Sequence, residues 1–277
     1  GFQNEINNRG MDERYKALQY NSADNCAVNV ANRGKQHRAS EENFKNEQHI
    51  SGHIVKNKNN EYLLAVADGM GGHKAGEVAS SIAINHLATK YSSMDTIGNK
   101  QDAIKWIRNT VSDINDLIFK YTSEHGESKG MGTTLVIAIY TKDFLLFGNI
   151  GDSSGFVKKD NKLFKVTKDH TLVNLLISTG ELTLEEAKFH PKKNVLMKAL
   201  GAVNPAEVDI FDVEKNIDGI LLSSDGLTNM LSVEQIENVL KMDISLEDKA
   251  KKLIAKSNNR GGTDNISVAF LDKEENK

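Results

Sequence analysis

Apolar residues in this chain gather into short unbroken runs, and several of these runs border a glycine-rich polar turn. Runs of strand length that are bounded by turn residues are typical of buried β-strands. Three of them adjoin an aspartate: residues 63–67 precede Asp68, residues 220–222 precede Asp225, and residues 266–271 follow Asp264. The chain therefore predicts buried strands whose ends carry carboxylates.

The remaining pattern predicts hairpins and amphipathic helices. Apolar positions three and four residues apart predict a helix over residues 100–122 and another that begins at Glu77. Capping boxes mark two more helix starts, Thr183 with Glu186 and Ser232 with Gln235, and a last helix is predicted from about Ser245. Predicted strands or hairpins cover residues 26–30, 50–68, 133–150, 156–166, 208–213, 217–224 and 266–271.

Strands that come in blocks and helices that come in pairs favour an α+β fold with two antiparallel sheets packed together and helices outside. We expect a flexible N-terminal tail over residues 1–23, one domain over residues 24–272 and a charged tail over residues 273–277. The mostly helical insertion at about 168–200 lies between strand blocks and is interpreted as a flap over a site.

Composition narrows the class of protein. The 277 residues are 39% hydrophobic and 26% charged, with a net charge of -3, which argues against nucleic acid as a partner. No apolar run approaches the ~20 residues of a membrane span, and the N-terminus lacks a signal-peptide core. The single cysteine, Cys26, fits a reducing compartment. We expect a soluble, cytoplasmic monomer with no membrane segment.

Three familiar site types match this chain poorly. The glycines after Asp68 lack the Gly-Lys-Ser/Thr of a phosphate loop and the third glycine of a dinucleotide site. The one close histidine pair, His49 with His53, is better interpreted as solvated than as a zinc site. The stretch GDSSG at 151–155 matches a serine-hydrolase elbow with Ser153 as nucleophile. A helix must follow such an elbow, and the residues that follow here are strand-like.

The carboxylates are the stronger candidates. Taken singly, an aspartate in a glycine-marked turn is an ordinary turn former. Taken together, hard oxygen ligands without a cysteine or histidine cluster select Mg²⁺ or Mn²⁺. The candidates in or beside such turns are Glu42, Asp68, Asp152, Asp225 and Asp264.

Six motifs, in order over about residues 26–271, make the chain resemble the type 2C metal-dependent protein phosphatases, and most closely their bacterial, kinase-paired branch. The motifs are ADGMGGH at 67–73, GMGTT at 130–134, GDS at 151–153, DHTLVN at 169–174, SDGLT at 224–228 and GTDNI at 262–266. The resemblance implies a four-layer α/β/β/α sandwich with a two-metal centre at one end and a flap subdomain.

The resemblance also implies a role for each acid. Asp68 would bridge two Mn²⁺ or Mg²⁺ ions, one of them bound by the Gly69 carbonyl. Asp225 and Asp264 would hold the second ion, and Glu42 would reach this second ion as well.

Two further roles follow from the same motifs. Asp152 would bind a third ion, held more weakly than the other two, with Asp225 as a shared ligand. Arg38 would bind the substrate phosphate, so that Arg38, Asp68 and Asp225 form the catalytic set.

The implied reaction is hydrolysis of phosphoserine and phosphothreonine in proteins by a hydroxide that bridges the metals. The implied partners are phosphorylated proteins, among them a cognate Ser/Thr kinase and its targets. The sequence identifies no general acid, although His53 and His73 are candidates.

Two positions depart from the family pattern. Asn43 stands where an aspartate is usual, and Ser154 stands where an arginine is usual. The amide of Asn43 keeps hydrogen-bonding capacity but loses a charge, so we expect weaker metal binding. The alternative hypothesis is a regulatory or binding protein of the same fold.

Overall fold

The computed structural model describes residues 15–21, 50–71, 73–262 and 264–273, which form two packed antiparallel β-sheets with helices outside. The strands in chain order are β1 (Tyr15–Asn21), β2 (Ile50–Lys56), β3 (Tyr62–Met70), β4 (Gly132–Thr133), β5 (Leu135–Tyr140), β6 (Leu145–Ile150), β7 (Ser154–Lys159), β8 (Lys162–Lys165), β9 (Asp209–Val213), β10 (Gly219–Ser223) and β11 (Ser267–Lys273). One sheet has the order β2-β3-β5-β6-β9, with β4 beside β3, and the other has the order β1-β11-β10-β7-β8.

The helices are α1 (His73–Ser92), α2 (Lys100–Glu124), α3 (Leu172–Ser178), α4 (Leu184–Phe189), α5 (Asp225–Thr228), α6 (Val233–Leu240) and α7 (Leu246–Asn259), with a 3₁₀ turn at Gly126–Ser128. None of the helices in the described ranges is long and apolar enough to cross a membrane.

The alternation of side chains along β3 explains the layers. Leu63 and Ala65 pack with apolar residues of α1 and α2. Leu64 and Val66 point the opposite way and join Ile220 and other residues between the sheets. A third cluster packs α6 and α7 on the second sheet. The four-layer α+β sandwich is therefore confirmed.

Local structure follows the predicted turns and caps. The hairpin of β7 and β8 turns at Asp160 and Asn161, both with positive φ, as its two-residue turn requires. Both predicted capping boxes are present. The predicted strand over 133–140 is interrupted at Thr134, which stays in register with Asp68 of β3 but receives the Asp68 N–H on its side-chain Oγ1.

Two predicted boundaries differ from the structure. Residues 15–21, placed in the tail, form β1 and pair along their whole length with β11, because backbone ladder bonds form without a strong apolar pattern. Helix α1 starts at His73 rather than Glu77, because its first turn includes Gly76, which has no side chain to signal a buried position. The predicted strand at 26–30 lies outside the described residues.

Candidate metal centre

Four of the predicted carboxylates lie where strands of both sheets end. Asp68 is near the end of β3, and Asp152 is in the turn between β6 and β7. Asp225 opens α5 after β10, and Asp264 lies in the turn that leads to β11. Asp68, Asp152 and Asp225 are partly buried, and Asp264 is exposed. The structure therefore places these four acids at one end of the sandwich, near enough for the other three to act on the charge of Asp68.

Two threonines hold the backbone of Asp68. Its N–H donates to Oγ1 of Thr134 (3.1 Å), and its carbonyl accepts from the Thr134 N–H (2.9 Å) and from Oγ1 of Thr133 (3.1 Å). Because these bonds satisfy the backbone, the carboxylate is not needed for local structure.

Glycines let other chain segments approach the end of β3. A Cβ at Gly76 would lie 2.9 Å from the carbonyl oxygen of Gly69, so a side chain there would push α1 away. Gly71 has a φ of +108°, and a Cβ there would meet the carbonyl of Gly130 at 2.7 Å. The predicted carbonyl ligand, Gly69, is thus enclosed by close backbone packing.

The Asp225 side is built by α5 and the loop before β11. Nδ2 of Asn229 donates to Oδ2 of Asp225 (3.0 Å). Ser224 and Ser267 join the two loops, since the Ser267 N–H donates to Oγ of Ser224 (3.0 Å). A Cβ at Gly226 would overlap the carbonyl of Asn265, so this glycine allows the Asp264 loop to lie against Asp225.

The Asp152 turn rules out the elbow geometry of a serine hydrolase. Ser153 is fully buried, and its Oγ shares a hydrogen bond of 2.7 Å with Oγ1 of Thr134. The chain continues from this turn into strand β7, whereas a nucleophile elbow continues into a helix. Ser153 is therefore a structural residue of the turn.

The charges of neighbouring carboxylates help to raise the pKa values of Asp68, Asp152 and Asp225. Burial raises the pKa of Asp68 well above its usual range, and the charges of the other three acids raise it further. Burial, then the charges of Asp152 and Asp264, raise the pKa of Asp225 to about 7. The Asp68 and Asp225 carboxyl groups are close enough to share a proton. This end of the sandwich therefore concentrates negative charge.

A hard divalent cation fits this arrangement. When both carboxyl groups are ionised, Oδ1 of Asp225 is buried without a hydrogen-bond donor among the described residues. An unpaired buried acceptor is costly unless a cation or donor compensates it. Within the described part of the chain, no three Asp, Glu, His or Cys side chains form a compact ligand group by themselves. The predicted residues Arg38 and Glu42, with Asn43, lie outside the described residues.

Sequence reasoning missed Asp169 as part of this acidic group. Burial raises the pKa of Asp152 to about 6, and the charge of Asp169 is the next largest cause. Asp169 is itself paired with Nζ of Lys165, at 2.7 and 2.8 Å. Its place directly before His170 in a matched motif was the available signal.

Comparisons with known proteins agree with the geometry. A family model described as protein phosphatase 2C matches residues 33–261. The serine/threonine phosphatase stp of Listeria welshimeri is 41% identical over 224 residues, which are 80% of this chain and 89% of that protein.

Solved structures show the same architecture. The Streptococcus agalactiae serine/threonine phosphatase superposes with a TM-score of 0.80 at 31% identity, over 94% of this chain and 99% of that one. The catalytic domain of the phosphatase PstP, solved in complex with two manganese ions, gives a TM-score of 0.68 at 28% identity, over 95% and 98% of the two chains. The two-sheet sandwich is the shared architecture. This chain belongs to the protein phosphatase 2C family.

Proposed function

We infer that this chain is a protein serine/threonine phosphatase, and we propose that it acts with divalent ions held by its strand-end carboxylates. Family membership and the named activity of its relatives support the first statement. The donor chemistry of the acids supports the second, because carboxylate and carbonyl oxygens suit Mg²⁺ and Mn²⁺.

One observation carries the proposal of a metal centre. Oδ1 of Asp225 is buried and unpaired among the described residues, beside other acids whose charges raise the pKa values of Asp68 and Asp225. A fold that needed only stability would pair or neutralise such groups. A divalent cation compensates them and also binds a phosphate dianion.

We assign the ligands by combining this geometry with the motifs. Asp68 and the carbonyl of Gly69 would hold one ion, and Asp68, Asp225 and Asp264 would hold a second. Glu42, which precedes β2 in the chain, would complete the centre.

The remaining two roles concern a third ion and the substrate. Asp152, together with Asp225, holds the third and weaker ion. The guanidinium of Arg38 binds the phosphate of the substrate, because its planar fork of N–H groups matches two phosphate oxygens.

The bound ions would neutralise the phosphate and lower the pKa of a coordinated water. The protein's own residues orient the acids. Thr133 and Thr134 fix the backbone of Asp68, and Asn229 holds one oxygen of Asp225 while Oδ1 has no donor in the described part of the chain. Ser153 takes no part as a nucleophile, since its hydroxyl is buried against Thr134.

The substrates that follow are phosphoserine and phosphothreonine sites of proteins. We further propose that a Ser/Thr kinase of the same cell, and the targets of that kinase, are among them. The single cysteine of the chain is compatible with work in the reducing cytoplasm.

The test measures phosphate release from phosphothreonine and phosphotyrosine peptides after chelation and readdition of Mn²⁺ or Mg²⁺. We expect activity only with metal and a preference for phosphothreonine. Asp68→Asn should abolish turnover, whereas Asp95→Asn, which alters an exposed ion pair with Lys58, should not. Absence of turnover at saturating Mn²⁺, with Mn²⁺ still bound, would favour the regulatory alternative.

A further inference from the structure

His170 joins the start of the predicted flap to the turn that carries Asp152. The Gly151 N–H donates to Nδ1 of His170 (3.0 Å), and the His170 N–H donates to the Gly151 carbonyl (2.8 Å). On its other side the His170 carbonyl accepts from the Met197 N–H (2.7 Å). One residue is therefore bonded both to the turn and to Met197, near the end of the insertion.

The ring of His170 is held in one tautomer. Because Nδ1 accepts a hydrogen bond, it must be unprotonated, so the proton of the neutral ring is on Nε2. Nε2 then donates to Oδ2 of Asp209 (2.9 Å), on the edge strand β9. The His170 side chain is only 10% exposed. Both nitrogens are thus bonded to protein groups, and the ring is free neither to bind a metal nor to deliver a proton.

The turn needs such support. Gly151 has a φ of +113°, a left-handed conformation that is not stabilised by sheet pairing. Asn149 adds a second brace, since its Nδ2 donates to the carbonyls of Gly151 (3.2 Å) and Lys168 (2.9 Å). These bonds decide where the next residue, Asp152, directs its carboxylate.

We propose that His170 is a positioning residue that, supported by Asp209, fixes the Gly151–Asp152 turn and couples the base of the flap to the Asp152 carboxylate. The inference rests on the proposed function, because it takes Asp152 as a ligand of the weakest ion. Removing a residue that holds a metal ligand in place, without itself binding the metal, typically lowers metal affinity ~10–100-fold.

The experiment measures Mn²⁺ binding to the chelated, substrate-free full chain by the electron paramagnetic resonance of free Mn²⁺. We expect His170→Ala to weaken the weakest class of sites roughly 10-fold and to leave the tighter class unchanged. His170→Asn should recover part of the loss, because its Oδ1 can replace Nδ1 as the acceptor for Gly151. In steady-state assays, the Mn²⁺ concentration for half-maximal kcat should rise while KM for the peptide stays constant.

His190 offers a matched control within the same insertion. Its Nδ1 also accepts from a backbone N–H, that of Lys192 (3.1 Å), but at a position remote in sequence from the Asp152 turn. His190→Ala should leave every class of Mn²⁺ site unchanged. If His170→Ala fails to fold, Asp209→Ala tests the same support from a 42% exposed side chain and should weaken the same class.

The outcomes separate this inference from the function on which it rests. If the wild type binds no Mn²⁺, or Asp225→Asn leaves binding intact, the metal centre itself is wrong. If the wild type binds Mn²⁺ and Asp225→Asn abolishes it, but His170→Ala or Asp209→Ala leaves the weakest class unchanged, only the positioning role is overturned.

Discussion

The two ends of strand β10 bury carboxylates in opposite ways. At its start, Asp272 pairs in register with Gly219 and forms ion pairs with Nζ of Lys158 (2.8 Å) and Lys249 (3.9 Å). At its other end, roughly 13 Å away for four residue steps, Asp225 faces other acids and no cation among the described residues. An ion-paired acid therefore lies at one end of this strand, and an acid without a counter-charge among the described residues lies at the other.

The difference separates an acid that stabilises the fold from one kept for function. The acid Asp272 and its two lysines are all close to 10% exposed, so each group satisfies the charge of another. Asp225 has one oxygen bonded to Asn229 and one that no described residue reaches with a donor. A cation from solution would complete this arrangement.

The largest effect should come from Asp225→Asn. We expect the metal-activated kcat/KM for a phosphothreonine peptide to fall by at least about 10³-fold, or about 4 kcal/mol, because metal stabilisation of the transition state amounts to several kcal/mol. Unfolding of the metal-free variant in urea should show no loss of stability. Full activity in this variant would show that Asp225 is not required for function and so does not differ from Asp272 in that respect.

Asp272→Asn should show the reverse. We expect the free energy of unfolding to fall by about 3 kcal/mol, because two buried lysines lose their counter-charge. The Mn²⁺ concentration for half-maximal activity should not change. A shift in metal affinity with little loss of stability would mean that the two ends of β10 are not independent.

Thr134→Val tests the support beneath Asp68. The change leaves the Asp68 N–H and the Ser153 hydroxyl unpaired, so we expect about 1–2 kcal/mol of lost stability and a modest rise in the Mn²⁺ requirement. Thr110→Val is the matched control, since Oγ1 of Thr110 is buried without a partner among the described residues. Equal losses of stability in both variants would show that the hydrogen bonds of Thr134 do not stabilise the fold.

The smallest effect should be a pH dependence of the metal-free protein. Asp225 has a pKa raised to about 7 and Asp152 one raised to about 6, whereas both titrate near ~4 when unfolded. Their contribution to stability is therefore present below about pH 4 and lost as the pH rises through 6 to 7.

The melting temperature of the chelated protein should accordingly fall by a few degrees between pH 5 and pH 7.5. Asp225→Asn should flatten this slope. Mn²⁺ should reverse it, since ligands must be deprotonated to bind. A melting temperature that rises with pH in the chelated wild type would contradict the raised pKa values.

Prediction from sequence succeeded where local pattern and local chemistry agree. The helix expected over 100–122 forms as Lys100–Glu124, and both capping boxes form as expected. The boundaries were less predictable where distant segments decide them. The strand is interrupted at Thr134, whose side-chain hydroxyl accepts from the N–H of Asp68, 66 residues away, and β1 exists because β11 offers a free edge.

For the site, glycine-marked turns at strand ends, read with the family motifs, were enough to select Asp68, Asp152, Asp225 and Asp264. What the sequence by itself determined was this set of acids, the alternation that gives β3 two buried faces, and the family. Only the tertiary structure decided how the acids act on one another. Three features depend on groups far apart in the chain. They are the raised pKa of Asp225, its oxygen without a donor among the described residues, and the two hydrogen bonds by which the His170 ring contacts Gly151 and Asp209. Electrostatic and hydrogen-bond energies depend on distance in space, and sequence separation does not set that distance.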